Sequence, residues 1–128
     1  MKEPIWIEAT VVLAMHDRLL AEHGGPSGVR DWGLLESALA RPRQVYHYSE
    51  PDLALLAATY VAGILRNHPF VDGNKRTGFM AGYVFLARNN LQLTAPEPEA
   101  AQSVLALAAG ELTEEAFANW LRTHTEPR

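Results

Sequence analysis

Apolar residues recur every three or four positions along most of this chain, the spacing that lines one face of an α-helix. The segments with this spacing are residues 8–23, 32–40, 53–65, 74–89, 97–109 and 113–124. They are separated by breaks rich in glycine, proline and asparagine, such as "HGGPSG" and "NNLQLTAPEP". The pattern predicts an all-α fold of about six helices.

Local signals set the expected ends of the second and third helices. Asp31 is a candidate N-cap for the second helix, and Pro42 is expected to stop it. The stretch from Ser49 to Asp52 resembles a capping box at the start of the third helix. Pro69 is expected to end that helix, because the residue before a proline disfavours the helical conformation.

Two further expectations concern residues 43–48 and the helix at 74–89. Residues 43–48 contain a valine and two tyrosines, which favour strands, and predict one tiny β-hairpin. The helix at 74–89 is apolar nearly all round from Phe79 to Ala87, which is typical of a buried helix. We therefore expect one helical domain built around that central helix.

Composition narrows the class of protein. At 128 residues the chain fits a single domain over residues 1–128. The absence of cysteine excludes disulfides, cysteine-ligated zinc and a thiol nucleophile. A net charge of −4 disfavours a nucleic-acid-binding surface, and no run of about 18 apolar residues could cross a membrane. With no secretion signal evident, we expect a cytoplasmic protein without nucleic-acid or membrane partners.

The segment "HPFVDGNKRTG", residues 68–78, places two cations where a helix is expected to begin. The first turn of a helix exposes unpaired N–H groups and the positive end of the helix dipole. Lys75 and Arg76 are therefore unfavourable there, by up to about 1 kcal/mol each, unless an anion is bound. A phosphate would meet the N–H groups, the dipole and both side chains together.

Neighbouring residues would complete a site for phosphate chemistry. Gly73 lets the backbone wrap closely around an oxyanion, and Asn74 can cap the helix and donate from its amide. Asp72 can hold Mg²⁺, and His68 is a candidate general base. The set predicts phosphoryl or nucleotidyl transfer.

Three nearby side chains carry further expectations. Phe70 is expected to plug the core and so anchor the loop. Arg66 has two interpretations of equal weight, a contact with the phosphate or an ion pair with a carboxylate. His16 is expected to make a structural hydrogen bond.

The segment at 68–78 resembles the Fic/Doc (Fido) motif, His-x-Phe-x-Asp/Glu-Gly-Asn-x-Arg. "LAMHDRLLAEHGGPSGVRDWGLLESALARP" and "YVFLARNN" are similar to segments of death-on-curing toxins of that family, so the resemblance spans roughly residues 5 to 124. It implies an all-helical Fido domain in which His68 deprotonates a hydroxyl of a target protein and Asp72 ligates Mg²⁺. The residues that match the anion-binding turn are Gly73, Asn74 and Arg76, and Phe70 matches the loop anchor. The family's target-binding flap would fall at residues 43–48.

One departure from the wider family bears on the activity. Most Fic enzymes, which transfer AMP from ATP, have glycine where this chain has Lys75 and a second arginine where it has Phe79. Death-on-curing toxins share the lysine, lack that arginine and transfer the γ-phosphate. The resemblance therefore favours a protein kinase using ATP and Mg²⁺. The alternatives are an AMP transferase and a non-catalytic binding module.

The resemblance also implies two protein partners. The target would be elongation factor Tu, modified on a threonine so that translation stops. No glutamate here is followed by glycine or asparagine, so the family's inhibitory helix motif is absent from the sequence. A separate antitoxin chain that folds on binding is therefore expected.

Overall fold

A computed structural model describes residues 2–49 and 51–128, and in them the chain forms six helices and two short strands. In chain order these are α1 (Ala9–His23), α2 (Trp32–Tyr48), α3 (Leu53–Asn67), α4 (Asn74–Arg88), β1 (Leu91–Leu93), α5 (Glu97–Ala108), α6 (Glu114–Thr123) and β2 (Thr125–Pro127). The predicted all-α fold of about six helices is confirmed.

The centre of the fold is α3, so the prediction that residues 74–89 form the central helix is wrong. Ten of the 15 residues of α3 are buried, against seven of the 15 in α4. α3 packs against α2, α4 and α6, whereas the outer face of α4 leaves Tyr83 41% exposed. Gly82 lets α4 approach α3 closely, because a Cβ there would come within 2.6 Å of Val61 Cγ2.

α2 continues beyond Pro42, so the predicted stop at that residue and the predicted hairpin at residues 43–48 are both wrong. A proline inside a helix removes one backbone hydrogen bond, and tertiary packing has to offset this cost. The last turns of α2 place Tyr46 edge-on against Trp6, with ring centroids 5.6 Å apart. Within the described residues, strands pair instead between β1 and β2, which run antiparallel.

Side-chain caps fix the starts of α2 and α3. Asp31 accepts the N–H of the residue three positions later at 3.0 Å, which confirms it as the N-cap of α2. α3 is capped in the same way by Asp52, at 2.9 Å. The predicted capping box from Ser49 is therefore misplaced, since Ser49 is the C-cap of α2. Glu50, which that prediction included, lies outside the described residues.

The N-terminal segment is tied to the central helix through a buried phenol. The backbone N–H of Ile7 donates to the hydroxyl oxygen of Tyr60 at 3.1 Å. Burial raises the pKa of the Tyr60 hydroxyl, because a phenolate would be poorly solvated there. In the part of the chain described, no helix is both long and apolar enough to cross a membrane.

Candidate active site

The loop between α3 and α4, residues 68–73, is fixed by pairing with the segment before α2. The backbone N–H groups of Arg30 and Asp31 donate to the carbonyl oxygen of Pro69, at 2.7 and 3.1 Å. The N–H of Val71 donates to the carbonyl oxygen of Gly28 at 3.1 Å. This short antiparallel bridge holds the loop across its middle. The sequence offered no specific signal for it, because "HGGPSG" indicates only a break.

Asn74 stabilises the same loop from within. Its Oδ1 accepts the N–H of Phe70 at 2.9 Å, and its Nδ2 donates to the carbonyl oxygen of Phe70 at 3.0 Å. Asn74 is buried and the Phe70 side chain is fully buried, so this pair of hydrogen bonds connects the loop to the core. The expected side-chain cap is absent, since Gly73 occupies the N-cap position of α4. Asn74 can therefore offer an anion its backbone N–H.

His16 on α1 supports the far side of the loop. Its Nε2–H donates to the carbonyl oxygen of Asp72 at 2.8 Å. Its ring stacks on that of Phe70, with centroids 3.9 Å apart and an angle of 13° between the planes. His16 is buried, and the expected structural hydrogen bond is confirmed.

The start of α4 presents backbone N–H groups that lack protein acceptors. The first N–H bonded within this turn is that of Thr77, which donates to the carbonyl oxygen of Gly73 at 3.0 Å. The N–H groups of Asn74, Lys75 and Arg76 have no acceptor among the described residues. Gly73 turns the chain here with φ 79°, in the left-handed region that favours glycine.

Two exposed cations flank these N–H groups. Within residues 2–49 and 51–128, neither Lys75 nor Arg76 makes a salt bridge with a carboxylate. α4 has no acidic residue in its first turn, so its positive dipole end and both side chains act with the same sign. This arrangement suits a phosphate anion, which would supply both the missing acceptors and the missing countercharge.

His68 and Asp72 stand at opposite ends of the loop. His68 is exposed and is the C-cap of α3, in the left-handed conformation with φ 51° and ψ 54°. The Asp72 carboxylate lies against Gly25, where a Cβ would come within 2.4 Å of its Oδ2. The exposed Asp72 side chain makes no hydrogen bond to any other described residue, so its oxygens are available to a cation.

The residues present fit Mg²⁺ bound through a substrate. No group of three or more metal-binding side chains occurs among the described residues, so a cage built by the protein alone is not indicated. Mg²⁺ typically takes one or two carboxylates, several waters and substrate phosphates. Asp72, the residue before the N-cap of α4, is one such carboxylate.

Arg66 lies in the last turn of α3 and is exposed. No carboxylate in the described part of the chain pairs with it, so the ion-pair interpretation is not supported. Glu114, which lines the same surface groove as Arg66, is instead bound by Arg41 through two hydrogen bonds.

Comparison with known proteins places this site in a family. The model of the Fic/DOC family matches residues 6–86, which include the loop and most of α4. Protein kinase doc of Escherichia phage P1 is 35% identical over 112 residues, covering 87% of this chain and 88% of the phage protein. Toxin Doc of Mycolicibacterium smegmatis is 45% identical over 74 residues, covering 56% of this chain and 57% of that protein. The chain therefore belongs to the Fic/DOC family.

Proposed function

We propose that this chain is a death-on-curing-type toxin that transfers the γ-phosphate of ATP to a hydroxyl group of a target protein. The observation that carries the proposal is the start of α4, where three backbone N–H groups lack acceptors and two cations lack carboxylate partners among the described residues. Electrostatic stabilisation of this kind is the main contribution that a protein makes to phosphoryl transfer.

His68 is assigned the role of general base. It accepts the hydroxyl proton while the hydroxyl oxygen forms a bond to the γ-phosphorus. The bond from that phosphorus to the bridging oxygen breaks, and ADP leaves. Gly73, Asn74, Lys75 and Arg76 bind the phosphates, and Arg66 is a third cation for them. Asp72 would hold Mg²⁺ together with the phosphates, and the ion would supply charge neutralisation there.

Transfer of phosphate is favoured over transfer of AMP by the side chains of α4. Lys75 brings a long side chain into the first turn of α4 where a glycine would have none, and Phe79 stands one turn further on without a charge. Phe79 packs towards Tyr83, with ring centroids 6.4 Å apart, so this face of α4 offers no second arginine to a polyphosphate. The names of the two relatives, a protein kinase and a toxin, agree with this choice.

The proposed partners follow from the same assignment. A toxin of this kind acts in the cytoplasm, on a threonine of elongation factor Tu, and thereby blocks translation. A cognate antitoxin chain would control it, and the toxin would bind neither nucleic acid nor membrane directly.

The decisive experiment follows the α-phosphate and the γ-phosphate of ATP separately. The protein is incubated with a translation extract and ATP labelled at either the α or the γ position. We expect label on protein from the γ position alone. Label from the α position would identify an AMP transferase. Retained ATP binding without transfer of either label would identify a binding module.

Variants then test the individual roles. His68→Ala should abolish transfer and leave the unfolding curve unchanged, whereas His23→Ala, at an exposed histidine on α1, should transfer normally.

Asp72→Ala should lose both activity and its dependence on Mg²⁺. Lys75→Gly should weaken γ-transfer or shift it towards α-transfer. Unchanged γ-transfer would mean that this lysine does not orient the nucleotide.

A further inference from the structure

Arg30 binds the backbone of the proposed general base. Its Nε donates to the carbonyl oxygen of His68 at 2.8 Å, and its Nη2 donates to the carbonyl oxygen of Asn67 at 3.0 Å. These two carbonyls belong to the last turn of α3, where backbone oxygens have no partner inside the helix. The guanidinium is planar and carries several donors, so it can bridge both oxygens at once.

This contact coincides with an unfavourable backbone conformation. His68 has φ 51°, in the left-handed region that is unfavourable for a residue other than glycine. The conformation turns the chain out of α3 immediately before Pro69, and the N–H of His68 still donates to the carbonyl oxygen of Ile64 at 3.0 Å. A contact from outside the helix has to stabilise the left-handed conformation of His68, and Arg30 donates a hydrogen bond directly to the His68 carbonyl oxygen.

No other ionic role competes for Arg30 in the part of the chain that the structure describes. Among residues 2–49 and 51–128 its side chain forms no salt bridge, and the neighbouring Asp31 is occupied in capping α2. A cation at the carboxyl end of α3 also interacts favourably with the negative end of its dipole. The backbone N–H of Arg30 also donates to the carbonyl oxygen of Pro69. Arg30 therefore forms hydrogen bonds with three consecutive carbonyl oxygens, those of residues 67 to 69.

We infer that Arg30 is a positioning residue, which fixes the left-handed backbone of His68 and so aims the imidazole at the acceptor hydroxyl. The inference rests on the proposed function for its catalytic consequence and on geometry alone for its structural one. Arg30 is far along the chain from the binding turn, which is held separately by Asn74 and His16. Losing the guanidinium should therefore affect the proton transfer and spare the binding of ATP.

The test compares Arg30→Ala and Arg30→Lys with the control Arg18→Ala. Arg18 is an exposed arginine whose ion pair with Glu22 lies on the surface of α1. We expect Arg30→Ala to lower kcat for γ-transfer about tenfold or more and to change the KM for ATP less than about twofold. Arg30→Lys, which can reach one carbonyl at a time, should recover part of kcat. Arg18→Ala should match the wild type.

A second readout does not require activity. The Cα and Cβ chemical shifts of His68 report its backbone conformation, and they should move in Arg30→Ala but not in Arg18→Ala. Unchanged shifts in a folded Arg30→Ala protein would overturn the inference, as would a wild-type kcat. A rise in the KM for ATP as large as the fall in kcat would also overturn it. If the wild type transfers no γ-phosphate while the His68 shifts still move, the proposed function fails and the positioning role stands.

Discussion

The rings of His16 and Phe70 lie nearly parallel, with centroids 3.9 Å apart, although 54 positions separate them in the chain. The same histidine donates to the carbonyl oxygen of Asp72. One side chain of α1 therefore supports both the buried anchor of the loop and the residue proposed to bind Mg²⁺.

Replacing His16 should separate its stacking from its hydrogen bond. His16→Phe keeps an aromatic ring against Phe70 but leaves the Asp72 carbonyl without its donor, so we expect a loss of about 1–3 kcal/mol in the free energy of unfolding. His16→Ala also loses the ring contact, which should cost about another 0.5–1.5 kcal/mol or more. Urea unfolding measures both, and the exposed Asp17→Asn is the control. Equal stability of His16→Phe and the wild type would show that the hydrogen bond contributes nothing.

Two neighbouring glycines should differ in their effect on Mg²⁺ dependence. Gly24 and Gly25 both have positive φ, 78° and 115°, so alanine at either should destabilise the fold, by about 1 kcal/mol or more. Only at Gly25 would the new Cβ meet the Asp72 carboxylate, at 2.4 Å, whereas at Gly24 nothing lies within 4 Å. We expect Gly25→Ala to need more Mg²⁺ for half-maximal γ-transfer than Gly24→Ala. Identical Mg²⁺ titrations of the two variants would contradict this.

The contact between α3 and α4 should be sensitive to one methyl group. Gly82→Ala would place a Cβ 2.6 Å from Val61 Cγ2, and overpacking of this kind costs about 1–3 kcal/mol. That cost should exceed the gain of about 1 kcal/mol in helix propensity. Gly78→Ala, whose nearest contact is 3.4 Å, should be neutral or stabilising. Thermal unfolding would compare them, and Val61→Ala should rescue Gly82→Ala if the clash is the cause.

The ionised Asp52 carboxylate should make the free energy of unfolding decrease at acidic pH. The hydrogen bond from Arg122 holds the pKa of the Asp52 carboxyl below its usual value, partial burial opposes that shift, and the N–H of Leu55 adds to it. A carboxyl with a lowered pKa stabilises the fold fully above its unfolded pKa, near 3.9, and loses this contribution as the pH falls through the folded pKa. Both side chains are partly exposed, so the ion pair should contribute about 0.2–1 kcal/mol.

Variants separate this ion pair from the helix cap. Asp52→Asn keeps an N-cap and loses the charge, so it should be less stable than the wild type at pH 7 and equal to it in strong acid. Asp52→Ala should lose about 1 kcal/mol more at every pH, because the cap to Leu55 is gone. Urea unfolding at several pH values gives the comparison, with Arg122→Ala as the matched partner variant. If Asp52→Asn is still less stable than the wild type in strong acid, the charge does not cause the difference in the free energy of unfolding.

The number of helices and most of their boundaries could be predicted from the sequence, because they depend on local spacing and caps. Asp31 and Thr113 cap the helices that follow them, and α1, α5 and α6 begin and end within about one residue of the predicted limits. The candidate site was equally visible, since His68 to Arg76 lie within nine consecutive residues. The unusual placement of two cations at a helix start is a property of the sequence that needs no tertiary information.

The tertiary structure alone decided the features that depend on distant partners. It made α3 the central helix and kept residues 43–48 helical, because α2 packs along α3 with Pro42 buried and Tyr46 packs on Trp6, and these contacts together offset the local cost of the proline. It turned the Asn74 amide inward to Phe70, and it brought Arg30 to the His68 carbonyl across 38 positions. Such contacts form only when the helices have packed, and a pattern of residue types along the chain does not record which distant groups will meet.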